Sequence, residues 1–166
     1  MCDITDLEGM TFDLVLCVGA AHFCSSFSAF AASSRRLLAS GGTFVLSLPH
    51  PMDMLVDLAE IGGRRVVSVR SYYPDGNRVV NAHYWTKFAG RLELVDGLVE
   101  YLYRPSDVVN GLIENGFRIS GLWEPRYIQD DITLPCVYRA PDAWVAEVVY
   151  RHVPQYLIVK AIGEDS

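Results

Sequence analysis

Residues 12–19, FDLVLCVG, form a short and almost wholly apolar run, with Asp13 as its second residue. Apolar residues occupy both alternating sets of positions in this run, which predicts a β-strand covered on both faces, as in a parallel sheet. Neighbouring parallel strands need a long crossover connection, usually a helix. The run therefore favours an α/β fold.

The residues that follow predict that crossover. Ser25 or Ser26 can cap a helix, and Gly41 can end it. Residues 43–50, TFVLSLPH, predict a second apolar strand. Strand, helix and strand then make a right-handed parallel crossover with a short Gly-Gly connection. The residues that predict the helix are mostly apolar and recur at three- and four-residue spacing: Phe27, Phe30, Ala31, Ser34, Leu37 and Leu38.

The middle of the chain has a different character. Residues 51–60 predict a short helix with Pro51 in its first turn. Gly62 and Gly63 are expected to end this helix. Residues 64–104 contain β-prone segments separated by turn signals such as PDGN, and they predict a small antiparallel element inserted into the parallel core.

The last third of the chain returns to alternating helices and strands. A helix capped by Ser106 and ended by Gly116 precedes a strand at 118–125, and a helix at 141–153 precedes a strand at 155–162. The first of these helices is predicted to bury one face, made of Val108, Val109, Leu112 and Ile113.

Composition excludes several classes of protein. The 166 residues are 51% hydrophobic and 20% charged, which is enough apolar material for a packed core and predicts a single domain over 1–166. The net charge of −6 without a basic cluster argues against nucleic-acid binding. No apolar run is long enough for a membrane span, and no signal peptide is recognisable. Four cysteines and four histidines without ligand spacing predict no metal site and a cytoplasmic protein with reduced thiols.

Five segments, taken in order, resemble the C-terminal half of class I S-adenosylmethionine-dependent methyltransferases of the small-molecule type. The resemblance implies a partial Rossmann-like sheet, made of the family's strands four to seven, with an inserted antiparallel β cap. CDITDL looks like the family's acidic loop, and FDLVLCVGAAHF looks like the fourth strand with its active-site loop. LLASGGTFVLSLPHP looks like the fifth strand and the residues just before it. YRPSDVVNGLIENGFRISGLWEP looks like a helix with the sixth strand, and PQYLIVKA looks like the antiparallel seventh strand.

The family's most diagnostic motif has no counterpart here. A loop of the form G-x-G-x-G packs its backbone against the cofactor, and glycine is needed because a Cβ would block that approach. Gly41-Gly42 and Gly62-Gly63 do not join a buried strand to a helix, and Gly19 stands alone. The sequence matches the family from about the end of its third strand.

Three interpretations follow from the missing motif. In the first, the chain is one subunit of a split methyltransferase, and a partner chain supplies the Gly-rich loop. In the second, it is a homo-oligomer that has lost cofactor binding and acts as a binding protein or repurposed catalyst. In the third, it is a fragment whose beginning is encoded upstream. Without the family's first three strands, residues 12–19 are expected to be an edge strand with solvent-exposed apolar side chains, which invites pairing with another chain.

The resemblance also implies a cofactor pocket for S-adenosylmethionine. Asp3 and Ile4 match the position that contacts the adenine, the first as a hydrogen-bond acceptor and the second as packing. Cys17, Val18 and Gly19 end the first strand, where the backbone would border the methionine portion.

Two histidines are candidates for a catalytic base. His22 follows the carboxyl end of the first strand, and a neutral imidazole there can take a proton from a hydroxyl or amine. His50, between two prolines at the end of the second strand, faces the same rim and can bind substrate or act as the base.

The predicted cap holds the candidate substrate-binding residues. Aromatic rings can wall a pocket for a small, partly apolar molecule, or they can form the cap's own core. Glu100 and Arg104 are weaker candidates, and a solvent-facing pair is the simpler interpretation of them. The other candidates are Tyr72, Tyr73, His83, Tyr84 and Trp85.

Overall fold

A computed structural model describes Leu7, residues 9–73, 98–125 and 152–164, and three strands between 78 and 95. A 3-10 turn at Ala21–Phe23 follows the first strand. In chain order the elements are β1 (Phe12–Val18), α1 (Phe27–Arg36), β2 (Leu38–Pro49), α2 (Pro51–Met54), β3 (Val56–Ile61), β4 (Arg64–Val69), β5 (Arg78–Asn81), β6 (Tyr84–Phe88), β7 (Arg91–Val95), β8 (Leu98–Tyr101), α3 (Pro105–Glu114), β9 (Phe117–Trp123) and β10 (Tyr156–Gly163).

The main sheet has four described strands in the order β1-β2-β10-β9. β1 and β2 are parallel, as predicted, and the helix α1 connects them. β10 lies between β2 and β9 and is antiparallel to both, so β2 and β9 run in the same direction. The carboxyl ends of β1, β2 and β9 therefore point to one edge of the sheet.

The core lies on the sheet face against which α1 and α3 pack. Alternate residues of β2 and β10 are buried there, because successive side chains of a strand point to opposite faces. Phe44 and Phe117 sit at its centre with their ring centroids 5.3 Å apart. The two central strands contribute Phe44, Leu46, Leu48, Leu157, Val159 and Ala161.

The other face of β1 is largely exposed among the described residues. Leu14, Leu16 and Val18 are 53%, 61% and 74% exposed, whereas Val15 and Cys17 pack against the core. The prediction of a strand covered on both faces is therefore wrong for the described part of the chain. The prediction of an edge strand with solvent-exposed apolar side chains agrees with the position of β1 in the described sheet.

The predicted helix at 51–60 is wrong beyond its first turn. α2 ends at Met54, and Val56–Ile61 pairs antiparallel with Arg64–Val69. Gly62 and Gly63 have φ of 59° and 74°, which is the backbone of a two-residue hairpin turn. The turn pairs the residues before it with those after it, and this pairing overrides the helical spacing of the apolar residues.

The connection from α1 to β2 also differs from the prediction. α1 ends at Arg36 and β2 begins at Leu38, so Gly41 lies within a strand rather than at a helix end. Gly41 has a φ of 68°, and the register between β1 and β2 shifts between Phe12 and Leu14. A glycine with positive φ inside a strand is typical of a β-bulge, which explains the shift.

The start of α3 is stabilised by Asp107 and not by the predicted cap, Ser106. The Asp107 carboxylate accepts the backbone N–H of Arg104 at 3.0 Å. It also accepts from Nε and Nη2 of the Arg104 side chain at 2.9 and 2.8 Å. An acidic side chain in the first turn of a helix also opposes the positive end of the helix dipole.

The buried face of α3 includes Val108 and Leu112, as predicted, but Ile113 is 55% exposed. Gly111 takes its place, and an added Cβ there would lie 2.7 Å from Cδ1 of Phe27. α1 packs closely against α3 at Gly111. The buried residues of α3, which are spaced three and four positions apart, therefore face the core: Val108, Gly111 and Leu112.

The inserted segment is antiparallel, as the sequence predicts, and it begins earlier, at Val56. β3 pairs with β4, β5 with β8, and β6 with β7. Of the predicted helix at 141–153, residues 141–151 lie outside the described residues, and His152 and Val153 are not helical. None of the described helices is long and apolar enough to cross a membrane.

Candidate functional site

The carboxyl ends of β1 and β2 form an open edge. Val18 is 74% exposed, and Gly19 has a φ of 62° with nothing within 4 Å of the position that a Cβ would take. The Gly19 N–H donates to the Ser47 carbonyl at 2.8 Å, which fixes the backbone there. In open α/β sheets ligands bind outside the carboxyl ends of the strands, so this edge is where a cofactor is expected.

His22 lies in the 3-10 turn just after this edge and is only 2% exposed. Its ring contacts the Phe23 ring in a tilted arrangement, with 4.0 Å between the ring centroids and 42° between the ring planes. Nε2 lies 3.3 Å from Oε1 of Glu100. That contact has the distance of an ion pair without the alignment of a hydrogen bond, and both ring nitrogens lack a hydrogen-bond partner among the described residues. The imidazole is therefore buried with unused hydrogen-bonding capacity.

Glu100 is the carboxylate that faces this imidazole, and it is 3% exposed. The prediction that Glu100 and Arg104 form a solvent-facing pair is wrong, because Arg104 pairs with Asp107 instead. The chain just beyond Glu100 is anchored: the Tyr103 hydroxyl donates to the carbonyl of Cys24, which follows the His22 turn. β8 and the His22 turn are therefore held together by a second contact.

Asp53, in α2, is a third titratable group of this region. Burial and then the negative charge of Glu100 raise the pKa of the Asp53 carboxyl from 3.8 to about 6. Sequence reasoning missed Asp53, although its place three residues after His50 at a strand end was a usable signal.

His50 is held from both sides of its ring. Nδ1 accepts the backbone N–H of Met52 at 3.1 Å, which caps α2. Nε2 lies 2.8 Å from Oε1 of Glu124. Because Nδ1 accepts, the proton is on Nε2 and is donated to the carboxylate. Glu124 was missed as a partner, although it directly follows β9, whose carboxyl end lies at the same edge as that of β2.

Three of the predicted cap residues come together. Tyr72 is half-buried and packs against Leu55 and Leu102. Its ring meets the ring of Tyr73 edge-on, with 5.2 Å between the centroids. The Arg104 guanidinium lies 5.7 Å from the centroid of Tyr73, within the range of a cation–π contact. Tyr73 is 73% exposed and so has a free face.

The remaining predicted site residues are not placed by the structure. Asp3, Ile4 and His83 lie outside the described residues, and Tyr84 and Trp85 belong to β6, whose side chains are not described. Within the described ranges, no group of three or more His, Cys, Asp or Glu side chains could hold a metal ion.

The chain is similar to known methyltransferases. Residues 1–46 match the family described as methyltransferase domain. A comparison with curated protein sequences finds no match. Among solved structures, an S-adenosylmethionine-dependent methyltransferase from Mesorhizobium loti is 24% identical with a TM-score of 0.59. A putative S-adenosylmethionine-dependent methyltransferase from Listeria monocytogenes is 22% identical with a TM-score of 0.63. The CcbJ methyltransferase from Streptomyces caelestis is 14% identical with a TM-score of 0.57.

These alignments cover most of this chain but less of each relative. They span 92% of this chain and 62% of the Mesorhizobium protein, and 96% of this chain and 64% of the Listeria protein. The chain thus spans less than two thirds of the length of these structures. Over that part, it has the mixed α/β fold with an open sheet that S-adenosylmethionine-dependent methyltransferases have.

Proposed function

We propose that this chain is a subunit of a split S-adenosylmethionine-dependent methyltransferase that methylates a small molecule. The observation that carries the proposal is the sheet order β1-β2-β10-β9 with an antiparallel β10. It matches strands four, five, seven and six of the family that the sequence resembles. In this proposal a partner chain supplies the Gly-rich loop and the strands that would flank β1.

The open edge after β1 supports a part of the cofactor pocket. The exposed backbone at Val18 and Gly19 has room for a ligand, and Cys17 lies just before them. In the proposal Asp3 and Ile4 contact the adenine. When bound, S-adenosylmethionine supplies an electrophilic methyl group on a sulfonium. The residues of this chain mainly align the acceptor with that methyl and exclude water.

His22 is the better of the two candidate bases. Its ring nitrogens have no hydrogen-bond partner among the described residues, whereas both ring nitrogens of His50 are engaged. A base needs a free lone pair within reach of the proton that it takes. We therefore assign proton transfer to His22. His50 caps α2 and so helps to place Asp53.

The cap is proposed to hold the methyl acceptor. The exposed ring of Tyr73 offers a flat apolar surface beside the Arg104–Asp107 ion pair, and the half-buried Tyr72 supports them. The proposal adds His83, Tyr84 and Trp85 as further walls of the pocket. Such a mixture suits a small, partly apolar metabolite.

The exposed face of β1 supports the need for a partner. Covering a large aliphatic side chain contributes about 1.5–3 kcal/mol, and three of them lie side by side on β1: Leu14, Leu16 and Val18. An unpaired strand edge also offers backbone groups to an incoming strand. A second copy of this chain could cover the same face, so the alternative is a homo-oligomer without cofactor binding.

Calorimetry with S-adenosylhomocysteine tests the proposal. We expect little or no binding to this chain alone and clear binding to the complex that it forms with a co-purified partner. In that complex, Gly19→Val should weaken binding, because it strains a positive φ and fills the open edge. Gly63→Ala, which strains a positive φ in the β3–β4 turn, is the matched control.

Two outcomes would contradict the split enzyme. Tight binding of S-adenosylhomocysteine by the isolated chain would mean that it carries a whole cofactor site. A stable homo-oligomer in light scattering, with no other protein in a pull-down from the native host, would favour the binding protein.

A further inference from the structure

We propose that Glu100 is the positioning residue of the base: it holds the Nε2–H of His22 and thereby leaves Nδ1 to take the proton from the methyl acceptor. This inference rests on the proposed function, in which His22 is the base. It concerns a residue of the inserted segment, and it makes that segment part of the proton-transfer machinery as well as a cover for the substrate.

The geometry fixes which nitrogen faces the carboxylate. Nε2 of His22 is 3.3 Å from Oε1 of Glu100, and the side chains are only 3% and 4% exposed. An ionised carboxylate can only accept hydrogen bonds, so the imidazole is expected to carry its proton on the nitrogen that faces it. In the neutral ring the lone pair is then on Nδ1. Catalytic hydrogen bonds are often long or poorly aligned without substrate and tighten when it binds.

A second set of contacts keeps the two side chains at this distance. The Cys24 N–H donates to the Ala21 carbonyl at 3.1 Å and closes the turn that carries His22. The Tyr103 hydroxyl, three residues after Glu100, donates to the Cys24 carbonyl. The Tyr103 ring also packs on Phe27, with 5.3 Å between the centroids. Glu100 therefore approaches His22 on a strand whose end is tied to the same turn.

Asp53 is a second carboxyl group in the surroundings of Glu100. Two titratable groups interact with Glu100: His22, from the turn, and Asp53, from α2. Burial and the charge of Glu100 raise the pKa of the Asp53 carboxyl to about 6. On acidification toward that pH, Asp53 takes up a proton, which removes its negative charge from the surroundings of Glu100.

The proposed step balances in atoms and charge. An electron pair of the acceptor atom forms the bond to the methyl carbon, while the carbon–sulfur bond breaks and its pair stays on sulfur. The proton of the acceptor goes to Nδ1 of His22. The positive charge of the sulfonium is thus replaced by that of the imidazolium, which Glu100 faces. A base held in this way serves an acceptor whose attacking atom carries both an electron pair and a proton, namely a hydroxyl or a neutral amine.

NMR of the protein labelled with ¹⁵N-histidine tests the positioning role without any activity assay. Long-range correlations distinguish the two ring tautomers, and loss of signals in His22→Gln assigns His22. We expect His22 to be in the Nε2–H tautomer. In Glu100→Gln the ring N–H should exchange with water about tenfold faster, since a hydrogen bond to a charged group is stronger by about 1.4 kcal/mol than one to a neutral group. In Glu100→Leu, which lacks an acceptor, both tautomers should be populated.

Glu124→Gln is the matched control, because it removes a carboxylate from His50 and not from His22. It should leave the His22 signals unchanged. The proposal is overturned if wild-type His22 is in the Nδ1–H tautomer, or if Glu100→Gln, folded by near-ultraviolet circular dichroism, leaves ring N–H exchange unchanged. Glu100→Gln preserves shape and keeps the test decisive if Glu100→Leu unfolds. A missing cofactor site would leave these signals as they are, so failure of the split-enzyme proposal is distinguishable.

Discussion

Replacing Asp53 by asparagine should stabilise the protein at neutral and alkaline pH. Burial and the charge of Glu100 raise the pKa of the Asp53 carboxyl from 3.8 to about 6. The fold therefore favours the protonated form. A raised carboxyl pKa gives stability that is fully present below the unfolded value and is lost as the pH rises through the folded value. Asparagine is neutral at every pH and close in shape, so it removes that loss.

The magnitude follows from the shift in pKa. A rise from 3.8 to about 6 is roughly 2 units, and one unit corresponds to about 1.4 kcal/mol of free energy. Asp53 is only partly buried, so about 2–3 kcal/mol is the expected gain in unfolding free energy at pH 8. Below pH 4 the gain should nearly vanish. For a chain of this length the melting temperature should rise by about 5–10 °C at pH 8.

Urea unfolding followed by tryptophan fluorescence at pH 4, 6 and 8 measures this gain. Asp13→Asn is the control, because it removes the same charge from an exposed position on β1. It should shift no midpoint. In a Glu100→Gln background the gain from Asp53→Asn should shrink, since one source of the shift is gone. An equal midpoint for wild type and Asp53→Asn at pH 8, or a gain that is the same at pH 4, would refute the reasoning.

Other substitutions test the packing, the helix start and the exposed face. Asp107→Ala should lower the unfolding free energy by about 1 kcal/mol in urea titrations, because α3 loses its capping carboxylate. An unchanged midpoint would argue against that role. Leu112→Ala, at a fully buried position, should cost about 2–5 kcal/mol in the same assay. A cost below about 1 kcal/mol would place Leu112 outside the core. Leu16→Arg should change the stability of the isolated chain by less than about 0.5 kcal/mol and abolish co-purification of the partner. Retained co-purification would mean that the partner binds elsewhere.

The sequence predicts the sheet well because its strands carry strong local signals. β1, the second half of β2, and β10 are runs of mostly apolar residues, and the helix that is predicted to end at Gly116 has clear spacing and a clear end signal. The errors fall where pairing decides the structure. The β3–β4 hairpin forms because a Gly-Gly turn brings two runs together. The strand through Gly41 forms because β2 pairs with β1 on both sides of a bulge in β2.

The site is harder to predict because its residues are distant in sequence. His22 and His50 can be proposed from their positions at strand ends. Glu100 is reached only after a long insertion, and nothing in its local sequence shows that it returns to the His22 turn. Glu124 meets His50 across the position of β10. Such contacts depend on the tertiary arrangement, which composition and periodicity do not encode locally.

The place of β10 in the sheet has a consequence for the order of folding. β1, α1 and β2 are close in sequence and can assemble early, but β2 and β9 do not pair with each other. They remain apart until β10, more than a hundred residues after β2, inserts between them. Closing so long a loop is slow. During synthesis, β2 and β9 therefore emerge before β10, and the edges that β10 later pairs are still unpaired. Chaperones or a partner chain would bind the protein in this state.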